Sequence, residues 1–166
     1  MVIRAMDHVA IRVSDIERSS KFYMDAFDAR WVLRPFDESG EGLEYALQGH
    51  RGAHCRVAFL GFADGGALEL LQFTEPNNPT RPVHVTEGAI VHMGFQVEDI
   101  DEAVQRVEQA GGSRVWPEVS RLPVGGGEMW VLDPDGNTIQ LHDVSFKDLM
   151  AGCLGAFPEA DPSKAQ

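Results

Sequence analysis

DHVAIRVSDIERSSKFYMDAFDARWV, residues 7–32, returns 84 positions later as VHMGFQVEDIDEAVQRVEQAGGSRVW, residues 91–116. Six of the 26 aligned positions are identical: His8/His92, Val13/Val97, Asp15/Asp99, Ile16/Ile100, Ala26/Ala110 and Arg30/Arg114. A match of this kind, with the same order of structural signals in both copies, marks an internal duplication. Each copy opens on period-two alternation. Val9, Ile11 and Val13 oppose His8, Ala10 and Arg12, and Met93, Phe95 and Val97 oppose His92, Gly94 and Gln96, so both segments read as strands. A helix start follows, with Ser14 and Glu17 spaced as a capping box in the first copy and Asp99 and Glu102 in the second. The stripes Ile16, Tyr23, Phe27 and Ile100, Ala103, Val104, Val107, Ala110 recur at helical spacing, and Gly111 and Gly112 end the second helix.

Working outward, strands are expected over 30–36, 43–48, 55–62 and 67–73 in the first copy and over 114–117, 128–132 and 138–142 in the second. Asp133-Pro134-Asp135-Gly136-Asn137 is a hairpin turn, because Pro fixes φ ahead of a glycine that tolerates φ > 0. Each module is therefore one strand, one helix and about three more strands, an α+β fold of tandem βαβββ modules. A sheet buried on one face by its own helix needs a partner for the other, so two modules are expected to close into a cupped, barrel-like mixed sheet with helices outside. The boundaries are 1–76 for the first module, 77–88 for a Pro- and Asn-rich linker and 89–143 for the second module. Residues 144–166 form an extension with a short amphipathic helix (Phe146, Leu149, Met150, Cys153, Leu154) and a polar tail. The first module is longer by a loop elaboration within 37–53.

The 166 residues carry 14 basic and 26 acidic side chains, a net charge of −12. An acidic domain without a basic patch repels phosphate backbones and anionic lipid, which argues against nucleic-acid and membrane partners. No 18-residue apolar run and no leader-like segment are read, so a cytoplasmic protein is expected. Cys55 and Cys153, far apart and without CxxC spacing, read as free buried thiols.

His8 and His92 open their modules on the face opposite the helix-covered residues. In the last strands Glu69 aligns with Gln140, in ALELL against NTIQL. Four polar side chains converging on an otherwise apolar cup need a partner, since a buried unpaired carboxylate is costly. A divalent metal (Zn, Ni, Co, Fe or Mn) held by His8, Glu69, His92 and Gln140 supplies one and leaves positions open to substrate. Hydrogen-bonded core histidines, with Glu69 paired to Arg12 or Arg30, are the alternative.

The segments HVAIRVSDIERSSKFY, LELLQF, HMGFQVEDIDEAVQRV and VLDPDGNTIQL resemble the vicinal oxygen chelate superfamily of glyoxalase I, methylmalonyl-CoA epimerase, extradiol dioxygenases and the fosfomycin and bleomycin resistance proteins. The resemblance covers residues 3–143 and implies a metal held by first- and last-strand residues of each module. It departs at Gln140, where many members carry Glu. It implies a metal-dependent isomerase or lyase, like glyoxalase I or methylmalonyl-CoA epimerase, that stabilises an enolate or enediolate during proton transfer next to a carbonyl. Glu69 is then ligand and base, and Glu44, Glu128 and His142 are candidates for a second catalytic group. An Fe(II) extradiol-type dioxygenase and an antibiotic- or metabolite-binding resistance protein are the alternatives. A small-molecule substrate and a homodimer are expected. Trp31, Trp130, Met129, Phe59 and Phe73 are expected to line the pocket, Gly125–Gly127 to form a flap, and Arg30, Arg34, Arg56 and Arg121 are candidate anion anchors.

Overall fold

The computed structural model describes residues 5–63, 65–77 and 90–164. Strand β1 (His8–Arg12), helix α1 (Ile16–Phe27), β2 (Arg30–Ser39), helix α2 (Glu41–Ala46), β3 (His54–Gly61) and β4 (Ala67–Glu75) form the first module. The second contains β5 (Met93–Gln96), α3 (Ile100–Gln109), β6 (Ser113–Arg114), β7 (Ser120–Arg121), β8 (Gly127–Leu132) and β9 (Thr138–His142), followed by α4 (Phe146–Ala156). Each module has its own mixed sheet, ordered β1-β4-β3-β2 and β5-β9-β8-β6, with β7 paired to β8. The first strand of each lies parallel to the last, β1 on β4 and β5 on β9, at a sheet edge. The expected linker, Asn77 apart, lies outside the described residues. Among the described residues no helix is long and apolar enough to cross a membrane.

The helices begin alike. Asp15 accepts from the backbone N–H groups of Glu17 and Arg18, and Asp99 from that of Glu102, each quenching orphan donors of a first turn. Ser14 is thus not the cap the sequence suggests; its hydroxyl donates to Asp135 Oδ1 at 2.6 Å instead. A second correction concerns 43–48, expected as a strand and found as α2. Leu43 and Leu47 stand four residues apart, a helical spacing, and with Ala53 they cover Cys55 and Val57 in a small second core. The loop elaboration is therefore a helix laid over part of the first sheet. Strand β7 was not expected from the sequence. Of the two thiols, Cys55 is buried as expected but Cys153, on α4, is exposed.

The main core joins both modules. Ile16, Phe22 and Tyr23 of α1, Leu60, Leu68 and Leu70 of the first sheet, Val104 and Val107 of α3, and Met129, Ile139 and Leu141 of the second sheet belong to one buried cluster. Contacts run from the first sheet to α1, from α1 to α3, and from α3 to the second sheet. Each sheet thus has one face under its module's long helix, α1 or α3, and the opposite face of the first sheet is partly covered by α2. The packing is close at Gly112, where a Cβ would stand 2.7 Å from the Leu132 carbonyl oxygen and 2.8 Å from Phe22. The β8–β9 turn clamps the modules. Asp133 Oδ2 accepts from the Tyr23 hydroxyl at 2.9 Å, and Asp135 accepts from Ser14 N, Ser14 Oγ, Arg18 Nη2 and Ser19 Oγ.

Candidate functional site

Strand pleating decides which side chains share the faces turned away from α1 and α3. On the first sheet Ala10 pairs with Glu69, and Glu69 with Phe59, so His8, two residues before Ala10, stands on the same face. His8 Nε2 lies 3.6 Å from Glu69 Oε2, and Phe59 meets the His8 ring edge-on at 5.9 Å between centroids. Two donors on one metal ion at about 2.1 Å are about 3.0–3.4 Å apart, so this pair already approaches a shared-ligand geometry. Glu69 is one-fifth exposed. Burial raises its pKa, His8 works against that rise, and the Glu38 carboxylate adds to it. Burial, with Glu38 and Glu69 nearby, also pushes the Cys55 thiol up to about 11, which leaves it an inert core group.

On the second sheet Glu128 pairs with His142, and Trp130 with Gln140; across the parallel pair Gly94 meets Gln140 and Gln96 meets His142. These side chains occupy one face. His92 packs edge-on against Trp130 at 4.6 Å. Gln140 Nε2 donates to Glu128 Oε1, and its Oε1 lies over Gly94, where a Cβ would be 3.8 Å away. The amide thus turns its acceptor oxygen toward β5, the strand that His92 precedes. His142, 6% exposed, has Nδ1 2.8 Å from the Val144 carbonyl oxygen. A carbonyl only accepts, so in the neutral ring Nδ1 carries the proton and Nε2 keeps its lone pair.

Each module therefore holds half of the expected set, His8 with Glu69 and His92 with Gln140. Two imidazoles, a carboxylate and an amide oxygen are donors that a divalent first-row metal accepts, and the partly buried Glu69 beside a histidine nitrogen fits such an ion. Among the described residues no three His, Cys, Asp or Glu side chains gather closely enough to hold a metal within one chain. His8 and His92 both border a groove of about 1260 Å³ that runs along the edge strands β1 and β5.

Several expected site residues fall elsewhere. Glu44, expected on a strand entering the cup, is on α2, where its Oε1 accepts from Gly52 N at 2.8 Å. Met129 is buried under α3 and Trp31 packs against the same core; Phe59, Phe73 and Trp130 lie on the opposite faces, Phe59 and Phe73 packed against the small core under α2. Gly125 and Gly126, at φ 90° and 70°, form a tight β7–β8 turn, and Gly127 N donates to Asp143 Oδ1 at 2.6 Å. Of the proposed anchors, Arg56 pairs with Glu17 and Arg121 with Asp101, while Arg34 lies over the Trp31 ring. Arg12 was legible as a residue on the His8 face but not singled out as an anchor. Its guanidinium stands over the Phe73 ring, 5.5 Å from the centroid, on the face that carries His8 and Glu69.

The fold is shared with known proteins. Residues 5–141 match the family model described as the Glyoxalase/Bleomycin resistance protein/Dioxygenase superfamily. The chain is 33% identical over 136 residues to a lactoylglutathione lyase of Haemophilus influenzae, an alignment covering 80% of this chain and 87% of that one. A glyoxalase family protein of Bacillus cereus superposes with a TM-score of 0.73 at 24% identity, covering 86% of this chain and 97% of the other. The fosfomycin resistance protein FosX of Listeria monocytogenes, solved with Mn(II) and sulfate, superposes at 0.59 with 15% identity over 90% of this chain and 99% of its own.

Proposed function

Because the chain belongs to the glyoxalase/bleomycin resistance protein/dioxygenase superfamily, we propose that it is a metal-dependent isomerase or lyase that moves a proton next to a substrate carbonyl, in the manner of its lactoylglutathione lyase relative. The observation that carries this reading is the repetition of donor side chains at equivalent positions, His8 with Glu69 and His92 with Gln140, on the sheet faces turned away from α1 and α3. These four would hold a divalent cation, which would supply Lewis acidity next to a substrate carbonyl and so acidify the adjacent C–H. Glu69, its pKa raised by burial, takes and returns the carbon-bound proton. Glu128 and the Nε2 lone pair of His142 stand beside Gln140 and face the substrate from the second sheet. Arg12 draws an anionic group of the substrate to the rim. The small-molecule substrate class is a thiol adduct of a 2-oxoaldehyde, and the direct assay is formation of lactoylglutathione from methylglyoxal and glutathione.

The separation of the half-sites supports a homodimer in which the first sheet of one copy faces the second sheet of the other. Mixing decides this. His8→Ala and His92→Ala proteins are each expected to be inactive, yet a hybrid of the two chains has one site with both histidines. Co-expression in equal amounts should restore about a quarter of wild-type activity, since about half the dimers are hybrids with one of two sites intact. Activity no higher than that of the single variants would rule out the shared site.

Arg12→Ala is expected to raise KM about tenfold with kcat within about threefold, the signature of lost uniform binding. An equal fall in kcat with unchanged KM would remove Arg12 from the substrate contacts. Metal analysis of the protein as purified tests the premise, and iron accompanied by oxygen consumption would point to dioxygenase chemistry instead.

A further inference from the structure

The two histidines are equivalent by duplication but are not held alike. His8 Nδ1 lies 2.8 Å from Asp7 Oδ1, whereas the residue before His92 is Val91. His92 is braced by the edge of Trp130. Asp7 is fixed through its backbone, since its carbonyl accepts from Ala67 N at 3.1 Å, so its side chain springs from the rigid start of the β1–β4 ladder. Resting on the reading of His8 as a metal ligand, we propose that Asp7 is a positioning residue. It sets the tautomer and orientation of His8 so that the Nε2 lone pair faces Glu69.

The chemistry is one of donor and acceptor counting. An ionised carboxylate only accepts. A neutral imidazole with Nδ1 against Asp7 Oδ1 must therefore carry its proton there, which leaves Nε2 unprotonated, 3.6 Å from Glu69 Oε2. Phe59, packed edge-on with the ring, limits its rotation. The opposite tautomer would set the Nδ1 lone pair against a carboxylate oxygen. Histidine ligands are commonly held in this way by a carboxylate outside the coordination shell, and removing such a partner weakens metal binding about 10–100-fold. Asp7 is 86% exposed, so solvent screening places the effect near the lower end. Among the described residues the second module has no such carboxylate at His92, which packs against the edge of Trp130.

The experiment has two arms. In metal-free protein with nitrogen-15 histidine, held at one pH where the ring is neutral, the His8 nitrogen shifts of the wild type should report the Nδ1–H tautomer. Asp7→Ala should report a mixture, while Asp7→Asn, whose amide oxygen still accepts, should keep the wild-type pattern. In competition titrations with Zn(II), Asp7→Ala should lose about tenfold in affinity, Asp7→Asn should recover part of it, and Asp7→Ala should add no loss in a His8→Ala background. An unchanged His8 tautomer in Asp7→Ala overturns the proposal, and so does zinc affinity within about twofold of wild type or an equal loss without His8. If wild-type protein binds no zinc, the reading of the metal site fails by itself, and the tautomer arm still decides the role of Asp7.

Discussion

Glu69→Gln is expected to lower kcat/KM for lactoylglutathione formation by about 10³-fold and to abolish exchange of the substrate's carbon-bound hydrogen with D2O. Glu69 is the one carboxylate among the four proposed donors and also the proposed base. The substitution therefore removes a charged ligand and a proton acceptor, together several kcal/mol of transition-state stabilisation. Deuterium incorporation at the wild-type rate in this variant would sink the assignment. The fold should respond in the opposite sense. A carboxylate whose pKa is raised in the folded state, here from an ordinary value of 4.5, contributes stability that is complete below that value and lost as pH rises through the folded pKa. At neutral pH its ionised form is thus a cost to the metal-free protein, and the glutamine variant should melt no lower than wild type, a pairing of lost function with retained stability. Metal affinity, by the same sign, should fall on acidification from a higher pH than an exposed carboxylate ligand would show.

Asp135→Ala should lower stability by about 1–3 kcal/mol, read as a fall in Tm of about 2–12 °C. The Asp135 side chain is 2% exposed and accepts from Ser14 N and Oγ, Arg18 Nη2 and Ser19 Oγ. Truncation leaves the buried Ser19 hydroxyl without this partner, and an unmet buried donor costs about 1–3 kcal/mol, whereas water can replace the carboxylate at the exposed Ser14 and Arg18. Burial pushes the Asp135 pKa up, but the Ser14 and Ser19 hydrogen bonds and the Arg18 charge more than offset it, and the net shift is downward. Such a group contributes stability above its ordinary pKa, near 3.8, that is lost as pH falls through the lower folded value. The difference between wild type and variant should therefore shrink in acid. Neighbouring Asp133, with its pKa raised by burial despite bonds from Asn137, Tyr23 and Asp135 N, carries the opposite sign. Equal urea midpoints for wild type and Asp135→Ala at pH 7 would show that this turn does not clamp the modules.

The duplication made much of this legible. Alternation in residues 7–13 and 91–97 assigned His8, Arg12 and His92 to the correct faces, and the alignment of ALELL with NTIQL put Glu69 and Gln140 at equivalent ladder positions, as the registers bear out. The turn 133–137, the helix ends near Gly111 and the helix after residue 145 were also readable. The misreadings share a cause. Ser14 and Asp15 both qualify as caps by residue type, and the choice follows from Asp135, more than 100 residues away, engaging Ser14. The 43–48 stretch is too short for its period to separate strand from helix, and the second core under Leu43 and Leu47 decides it. Met129 and Trp130 are adjacent apolar residues on one strand, and pleating sends them to opposite sides.

By itself the sequence determined the repeat, its strands and helices apart from α2 and β7, and the side of each sheet that carries donor groups, because periods of 2.0 and 3.6 are local properties of the backbone. Only the tertiary structure decided that Glu128, not Glu44, stands beside Gln140, that α2 roofs part of the first sheet, and that no chain by itself gathers three His, Cys, Asp or Glu side chains at a metal-holding distance among the described residues. The period of a strand tells which side chains share a face. Which faces meet depends on packing between residues distant in the chain, here α1 against α3 and the Asp133–Asp135 turn against Tyr23, Ser14 and Ser19.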